Sequence, residues 1–291
     1  CCKMALLSKY LGRKQASSVP PASPSPEKTV FRGHGVRDQD VCDLALYAGH
    51  ILLESGAELF RVEDTIHRIL RAYGIHSENA FILSNGIFLT AGSDREGSYA
   101  RVQHIPISSS HLDRVAAVNQ LSREISEGRH TVYEARSILE QIRQMPEKKK
   151  WQKVLCSAIG SGSFCVLFGG ATRDALTAFL VGGLLYLLLL FPLNRPMSKI
   201  VLNILSGCFV AGCAVLLWKL GLGQNLDTII GGSIIPLVPG LAFTIGIRDL
   251  GNGDYISGSV RMLDALLVIF SVALGVGVMI SVIHALTGGM I

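Results

Sequence analysis

The stretch 228-TIIGGSIIPLVPGLAFTIGIRDLGNGDYISGSVRMLD-264 decides how the rest of the chain is to be read. Residues 228–247 carry no charge, as hydrocarbon requires, yet Pro236 and Pro239 stand three apart in their middle and Gly240 follows at once. Each proline removes a backbone donor and collides with the preceding turn, costing roughly 3 kcal/mol in a helix interior. The spacing therefore predicts an apolar span broken near its centre. In hydrocarbon, backbone groups freed at a break are tolerated only where they line a cavity or meet protein partners, and the N-terminus of a half-helix there is a seat for an anion. A kink kept for packing is the other reading of the same two prolines.

Arg248, Asp249, Asp254, Arg261 and Asp264 follow, around Gly251, Gly253 and Gly258, which reads as a Gly-rich re-entry bracketed by charge. Ionisable groups near membrane depth are expensive, and an opposite-sign cluster there marks a gate, a proton site or a substrate site. A solvated loop is the alternative, and it suffices for Arg261 taken alone. For an anionic substrate the candidate binding residues are Pro236, Pro239, Gly240 and Arg248, with positive potential supplied by Arg248 or by the half-helix N-terminus. Asp249 or Asp254 is the candidate for proton coupling, provided desolvation outweighs the neighbouring Arg. Arg261 and Asp264 are candidates for a gate or interface. Arg173, Asp174, Asn203, Asp227 and His284 are weaker candidates in the same half.

Working outward, the charge is unevenly spread. Residues 1–150 hold 20 of the 27 Lys and Arg and 17 of the 22 Asp and Glu, leaving 7 and 5 to residues 151–291, which contain no Glu. Runs such as 184-LLYLLLLF-191 and 264-DALLVIFSVALGVGVMISVIHAL-286 do not form the solvated surface of a globular domain. The composition excludes a purely soluble enzyme, a nucleic-acid reader and a disordered chain. Five spans are expected, at 154–171, 174–193, 199–218, 228–247 and 264–286, since about 30 Å of hydrocarbon takes roughly 20 helical residues. The first is diluted by 160-GSGS-163. One set of alternate loops carries eight basic residues (Lys148, Lys149, Lys150, Lys153, Arg195, Lys199, Arg248, Arg261) and the other two, Arg173 and Lys219. That bias puts the N-terminal domain in the cytoplasm and the C-terminus opposite. The seven Cys show no CxxC spacing, so neither a disulfide framework nor a zinc site is expected.

Ahead of the spans, residues 1–38 read as a disordered tail, with four of the ten Pro and a basic, acid-free start compatible with a presequence or with acylation of Cys1 or Cys2. Residues 39–146 read as a cytoplasmic α+β domain of order ααβββαα, and 147–291 as the transmembrane domain. Apolar residues repeat at helical spacing from Val41 to Ser55 and again from Leu59 to Tyr73. Strands 80-AFILS-84 and 87-IFLTA-91 flank Asn85-Gly86 as a hairpin turn, with a third at 99-YARVQHI-105. Helices follow near Ser110 and at Thr131, where 131-TVYE-134 is a capping box. His50-x3-Glu54 and Glu63-x3-His67 have ligand-like spacing but read as solvated neighbours. Ser84, His104 and Asp113 lack the nucleophile elbow of a hydrolase. No catalytic, metal or cofactor residue is assigned.

The segments 52-LLESGAELFRVEDTIHRI-69, 84-SNGIFLTA-91 and 234-IIPLVPGLAFTIGIRDLGNGDYISGSVRMLDALL-267 resemble the threonine/serine exporter family, in particular its YjjP-like portion, over roughly residues 40–286. The resemblance implies a secondary exporter of small hydrophilic metabolites, threonine and serine or a dicarboxylate such as succinate; the plasma (inner) membrane is the expected location, and coupling to protons is expected from Asp249 or Asp254. Fused members carry a second five-span unit, so a five-span partner subunit is implied, or a homo-oligomer. The matching positions are Gly56, Ala57, Glu58, Asn85, Pro236, Pro239, Gly240, Arg248, Gly253 and Asp254; Glu58 and Asn85 join the gate or interface set. Small-residue faces at Gly207-x3-Ala211 and Gly160-Ser161-Gly162 are expected to serve that partner. A membrane-tethered enzyme, and a scaffold or sensor acting through residues 39–146, are the competing classes.

Overall fold

The computed structural model describes residues 35–93, 97–105, 111–146, 148–190 and 198–287. The expectations for Cys1, Cys2 and most of the tail lie outside these residues. Helix α1 (Asp38–Glu54) buries Leu44, Ala48, Ile51 and Leu52, a stripe at three- and four-residue spacing. It stops at Gly56, whose φ of 76° lets the Gly56 and Ala57 amides turn back onto the carbonyls of Leu53 and Leu52. Helix α2 (Leu59–Ala72) then returns, burying Val62, Ile66, Ile69 and Leu70.

Strands β1 (Ser77–Leu83), β2 (Gly86–Ser93) and β3 (Gly97–His104) form an antiparallel sheet in that order. Leu83 pairs with Gly86, so the two-residue turn is Ser84-Asn85 and not Asn85-Gly86. Gly86 is a strand residue; a Cβ on it would lie 3.2 Å from the Gln103 carbonyl oxygen, so its smallness serves strand approach and not a turn. On β2, Ile87, Leu89 and Ala91 face the core while Phe88 and Thr90 face out, the period-two alternation of a one-sided sheet. Helices α3 (Leu112–Ser126) and α4 (Val132–Arg143) complete the layer. The Thr131 hydroxyl accepts the Glu134 amide and the Glu134 carboxylate accepts the Thr131 amide, the reciprocal cap expected from 131-TVYE-134. The order ααβββαα is thus observed.

Beyond it lie α5 (Lys150–Leu167), α6 (Thr172–Leu190), α7 (Lys199–Lys219), α8 (Leu226–Ser233), a 3₁₀ turn (Ile235–Leu237), α9 (Gly240–Gly251) and α10 (Tyr255–Thr287). Among the described residues, α6, α7 and α10 are long and apolar enough to cross a bilayer, and α8 with α9 makes a fourth candidate bent by 64°. Helix α5, opening on Lys150 and Lys153 and holding the polar run 160-GSGS-163, falls short of that measure. The last helix starts at Tyr255, nine residues before the expected 264, so the Gly-rich re-entry shrinks to Asn252-Gly253-Asp254 and Gly258 lies inside a helix.

Helix direction follows from the close contacts. A Cβ on Gly162 would touch Ala175 and Phe179, and one on Gly182 would touch Ser161 and Ser157, so α5 and α6 run antiparallel. Gly207 approaches Val272 and Val276, and Gly212 approaches Met279, so α7 and α10 run parallel. Gly170 meets Thr228 and Gly232 meets Cys165 and Ser161, so α8 runs against α5. The start of α6 lies by the end of α7, where the Gln224 amide donates to Asp174, so the helical segments alternate in direction among the described residues, with α8, the turn and α9 counted as one bent segment. Gly162, Ser161 and Gly207 are consumed inside this chain, which corrects the expectation that their faces wait for a partner; Gly160 alone of that set faces open space.

Candidate functional site

The bent pass breaks between buried Ser233 and Leu237 on one side and exposed Val238 and Gly240 on the other. Ser233 ends α8, Pro236 sits within the 3₁₀ turn, and Pro239 precedes Gly240, the first residue of α9. The turn satisfies part of its backbone through Leu237 N–H to the Ile234 carbonyl (2.9 Å) and Val238 N–H to Ile235 (3.0 Å). Two features stay open. The Ser233 hydroxyl is fully buried without a hydrogen-bond partner among the described residues. A Cβ on Gly240 would meet nothing within 4 Å and the residue is exposed, so the N-terminal end of α9, where amide dipoles concentrate positive potential, is open on that side, although the Gly240 amide itself donates to the Val238 carbonyl at 2.8 Å.

Arg248 does not belong to this point. Eight helical residues separate it from Gly240, about 12 Å along the axis. The expected binding set thus divides into a station at the break (Pro236, Pro239, Gly240) and a second at the C-terminal end of α9. At that second station α9 and α10 touch backbone to backbone: a Cβ on Gly258 would lie 2.8 Å from the Leu250 nitrogen and 3.0 Å from the Gly246 oxygen. The reversal between them uses Gly253 at φ 93°. This tight hairpin fixes Arg248, Asp249 and Arg261 against the α1–α2 junction.

The junction answers with its own groups. Glu58 Oε1 is 2.7 Å from Arg248 Nη1, and Glu58 Oε2 accepts from Arg61 Nε at 3.3 Å. Arg261 Nη2 donates to the Ala57 carbonyl at 3.2 Å, and its Nε lies 3.4 Å from Asp249 Oδ2. Asp249 is fully buried, and neither of its oxygens has a hydrogen-bond donor in good geometry among the described residues. Its neighbours are the Arg261 guanidinium and the Leu59 amide, and removing the cation of a buried ion pair typically costs about 3–5 kcal/mol. Ser84, in the hairpin turn, donates its amide to Ser257 Oγ at 3.0 Å, a second clamp between sheet and α10.

The remaining expected residues separate. Asn85 sits exposed at the hairpin tip next to Ser84, its carbonyl accepting the Ile105 amide at 2.8 Å. Asp254 immediately precedes α10 and its carbonyl accepts the Gly258 amide at 2.9 Å, the position of a helix N-cap. Asp264 pairs with Lys199 Nζ at 2.7 Å, tying α10 to α7 and not to the Arg248 group. Asp174, ranked low from sequence, is buried and accepts amides from Gln224 (2.5 Å), Asn225 (3.1 Å) and Ala171 (3.0 Å), knotting two connections at the far end of the bundle. A lone Asp in a short turn gave no sign of that. In the α+β domain, His50 faces Glu54 at 3.6 Å and Gln103 at 2.9 Å, and burial pushes its imidazole below the ordinary value. No group of three metal-ligating side chains occurs among the described residues.

Comparison with known proteins bears on this architecture as a whole. Residues 43–283 match the family model described as "Putative threonine/serine exporter" (ThrE), a span that takes in the α+β domain, the broken pass and both stations. The chain is 24% identical over 269 residues to the "Threonine/serine exporter" of Corynebacterium glutamicum, covering 90% of this chain and 55% of that protein. It therefore spans about half the length of that relative. It is 25% identical over 243 residues to the "Probable succinate transporter subunit YjjP" of Escherichia coli K12, covering 81% of this chain and 92% of that one. No solved structure matches. With more than half of its length matched, this chain belongs to the threonine/serine exporter family.

Proposed function

We propose that the chain is a subunit of a secondary transporter that exports small hydrophilic carboxylates, threonine and serine or a dicarboxylate such as succinate. The broken pass carries the reading: the N-terminus of α9 is exposed and open at Gly240, and seven residues before it the Ser233 hydroxyl is buried without a partner among the described residues, an arrangement that suits a carboxylate and that a mere anchor does not need. The names of the two relatives favour the same class of solute. All five passes cross the bilayer on this reading, with α5 held in place by α6 and α8. The eight-to-two bias of basic residues sets the α+β domain in the cytoplasm of a cell whose plasma membrane holds the bundle.

Transport then runs between two stations. The substrate carboxylate is met by Arg248 at the cytoplasmic end of α9, passes to the N-terminal end of α9 at Pro239-Gly240, and leaves on the far side. Asp249 is the better proton carrier of the two candidates, because it is buried against a single cation whereas Asp254 occupies a helix cap. A partner subunit of similar size completes the path, as the word "subunit" in the name of the Escherichia relative suggests. Tracer efflux of L-threonine, L-serine and succinate from proteoliposomes under an imposed pH gradient tests the reading. Gradient-driven efflux that is lost in Arg248→Gln and persists without gradient dependence in Asp249→Asn is expected; unchanged efflux in both variants would remove the two residues from the mechanism.

A further inference from the structure

Arg248 is already occupied. Its partner, Glu58, is 190 residues away in sequence and belongs to the α+β domain, and the two side chains are held very differently. The Glu58 side chain is 16% exposed, that of Arg248 59%. The carboxylate is thus anchored while the guanidinium faces open space. Glu58 stands at the N-cap position of α2 yet makes no capping bond, so the helix does not dictate where its carboxylate goes. A guanidinium offers five donors in a planar fork, and among the described residues the bond from Arg248 Nη1 to one oxygen of Glu58 leaves the rest of the fork unclaimed. A free carboxylate able to take the fork in bidentate fashion has the stronger geometry, but only once Glu58 has moved aside.

The neighbouring groups allow that exchange. The other oxygen of Glu58 is already held by Arg61, which gives the carboxylate a second cation to rest on after it leaves Arg248. Arg261, only 12% exposed and fixed by Asp249 and the Ala57 carbonyl, keeps the α1–α2 junction seated on α10 meanwhile. We propose that Glu58 is a built-in competitor for the substrate carboxylate at Arg248, through which the α+β domain sets the affinity for loading from its own side. The inference rests on the transport reading above and adds a residue that raises KM without touching the chemistry of translocation. An ion pair this accessible holds its cation only part of the time, so the expected penalty on substrate affinity is about two- to fivefold.

The test uses the full chain, with its partner subunit where efflux requires it, in proteoliposomes loaded with labelled L-threonine, L-serine or succinate. Glu58→Gln is expected to lower KM by about two- to fivefold with maximal rate retained, and Glu58→Asp to return it toward the unaltered value. Arg61→Ala, which removes the cation bonded to the other oxygen of Glu58, is expected to raise KM. Opposite shifts from two substitutions on one helix turn do not arise from loosened packing, which would lower maximal rate in both. An unchanged or raised KM in Glu58→Gln with intact maximal rate, or a lowered KM in Arg61→Ala, would overturn the competitor. Should Glu58→Gln fail to assemble, the direction of the Arg61→Ala shift alone decides. Absence of efflux of all three solutes from the unaltered protein would instead strike the transport reading, and this inference with it.

Discussion

The α+β domain and the helical bundle fill their interiors differently. In the domain the interior is dominated by large apolar residues such as Leu44, Ile51, Leu52, Ile66 and Leu70, with Thr65 and Ser122 among its few buried polar side chains. In the bundle small and weakly polar residues, Ala158, Ser161, Ala178, Ser206, Ala211 and Ala214, share the interior with Val181, Leu185 and Val210, whereas Leu167, Phe270 and Leu286 are 74%, 70% and 81% exposed. Water rewards removal of large side chains from its surface, so the domain gains by enclosing them. Lipid tails are as apolar as Leu and give no such reward, so the bundle gains from backbone approach through small residues and leaves its bulk outside. One chain thus obeys two packing rules, and the boundary falls at the Glu58–Arg248 contact.

The comparison predicts where substitutions hurt. The largest effect is expected from enlarging a small interior residue of the bundle: a Cβ on Gly275 would lie 2.1 Å from the Ile204 oxygen, a backbone atom that cannot step aside. Gly275→Leu is therefore expected to separate α7 from α10, by more than the roughly 1–3 kcal/mol typical of overpacking. Loss of the monodisperse species in detergent is the readout, and a stable, well-behaved variant would break the rule for this half. The next effect reverses the sense of size. Leu52→Ala in the domain core is expected to cost about 2–5 kcal/mol, while Leu274→Ala on the outer face of α10 costs little. Segment-resolved hydrogen exchange on the full chain compares them; equal losses would erase the distinction between the two interiors.

The smallest effect is one of pH and belongs to the domain alone. Burial depresses His50 below 6.5, so the folded state prefers the neutral ring. Its contribution is fully present above 6.5 and is lost as pH falls from there through the depressed folded value. Lower amide protection, relative to the intrinsic exchange rate at each pH, is expected in α1 and β3 of the unaltered chain below that pH, and its persistence in His50→Gln would assign the effect elsewhere.

What was legible in the sequence was local. Helical spacing from Val41 to Tyr73, the cap at Thr131, and the break at Pro236 and Pro239 each follow from residues within a few positions of one another, and each is observed. The turn at Ser84-Asn85 was displaced by one residue because Asn-Gly favours positive φ in isolation, while pairing of Leu83 with Gly86 is imposed by a third strand. Gly258 has the residue type of a loop, yet it lies in a helix pressed on Gly246, a contact invisible without the hairpin geometry. The pairing of Glu58 with Arg248 joins segments 190 residues apart, and no periodicity encodes that. The same holds for Asp174 and its amides from positions 224 and 225.

The length of α10 has a mechanical consequence. Its 33 residues make a rod of about 50 Å, against roughly 30 Å of hydrocarbon, so one end must stand well clear of the lipid or the whole must lean. The end that the hairpin grips is the one carrying Ser257 and Arg261. A lean of about 10° shifts one end of such a rod sideways by roughly 9 Å relative to the other. A stiff shaft held at one end by the sheet and along its length by α7 is built like an oar in a rowlock: any rocking along the shaft would be delivered, enlarged, to the α+β domain that grips its end.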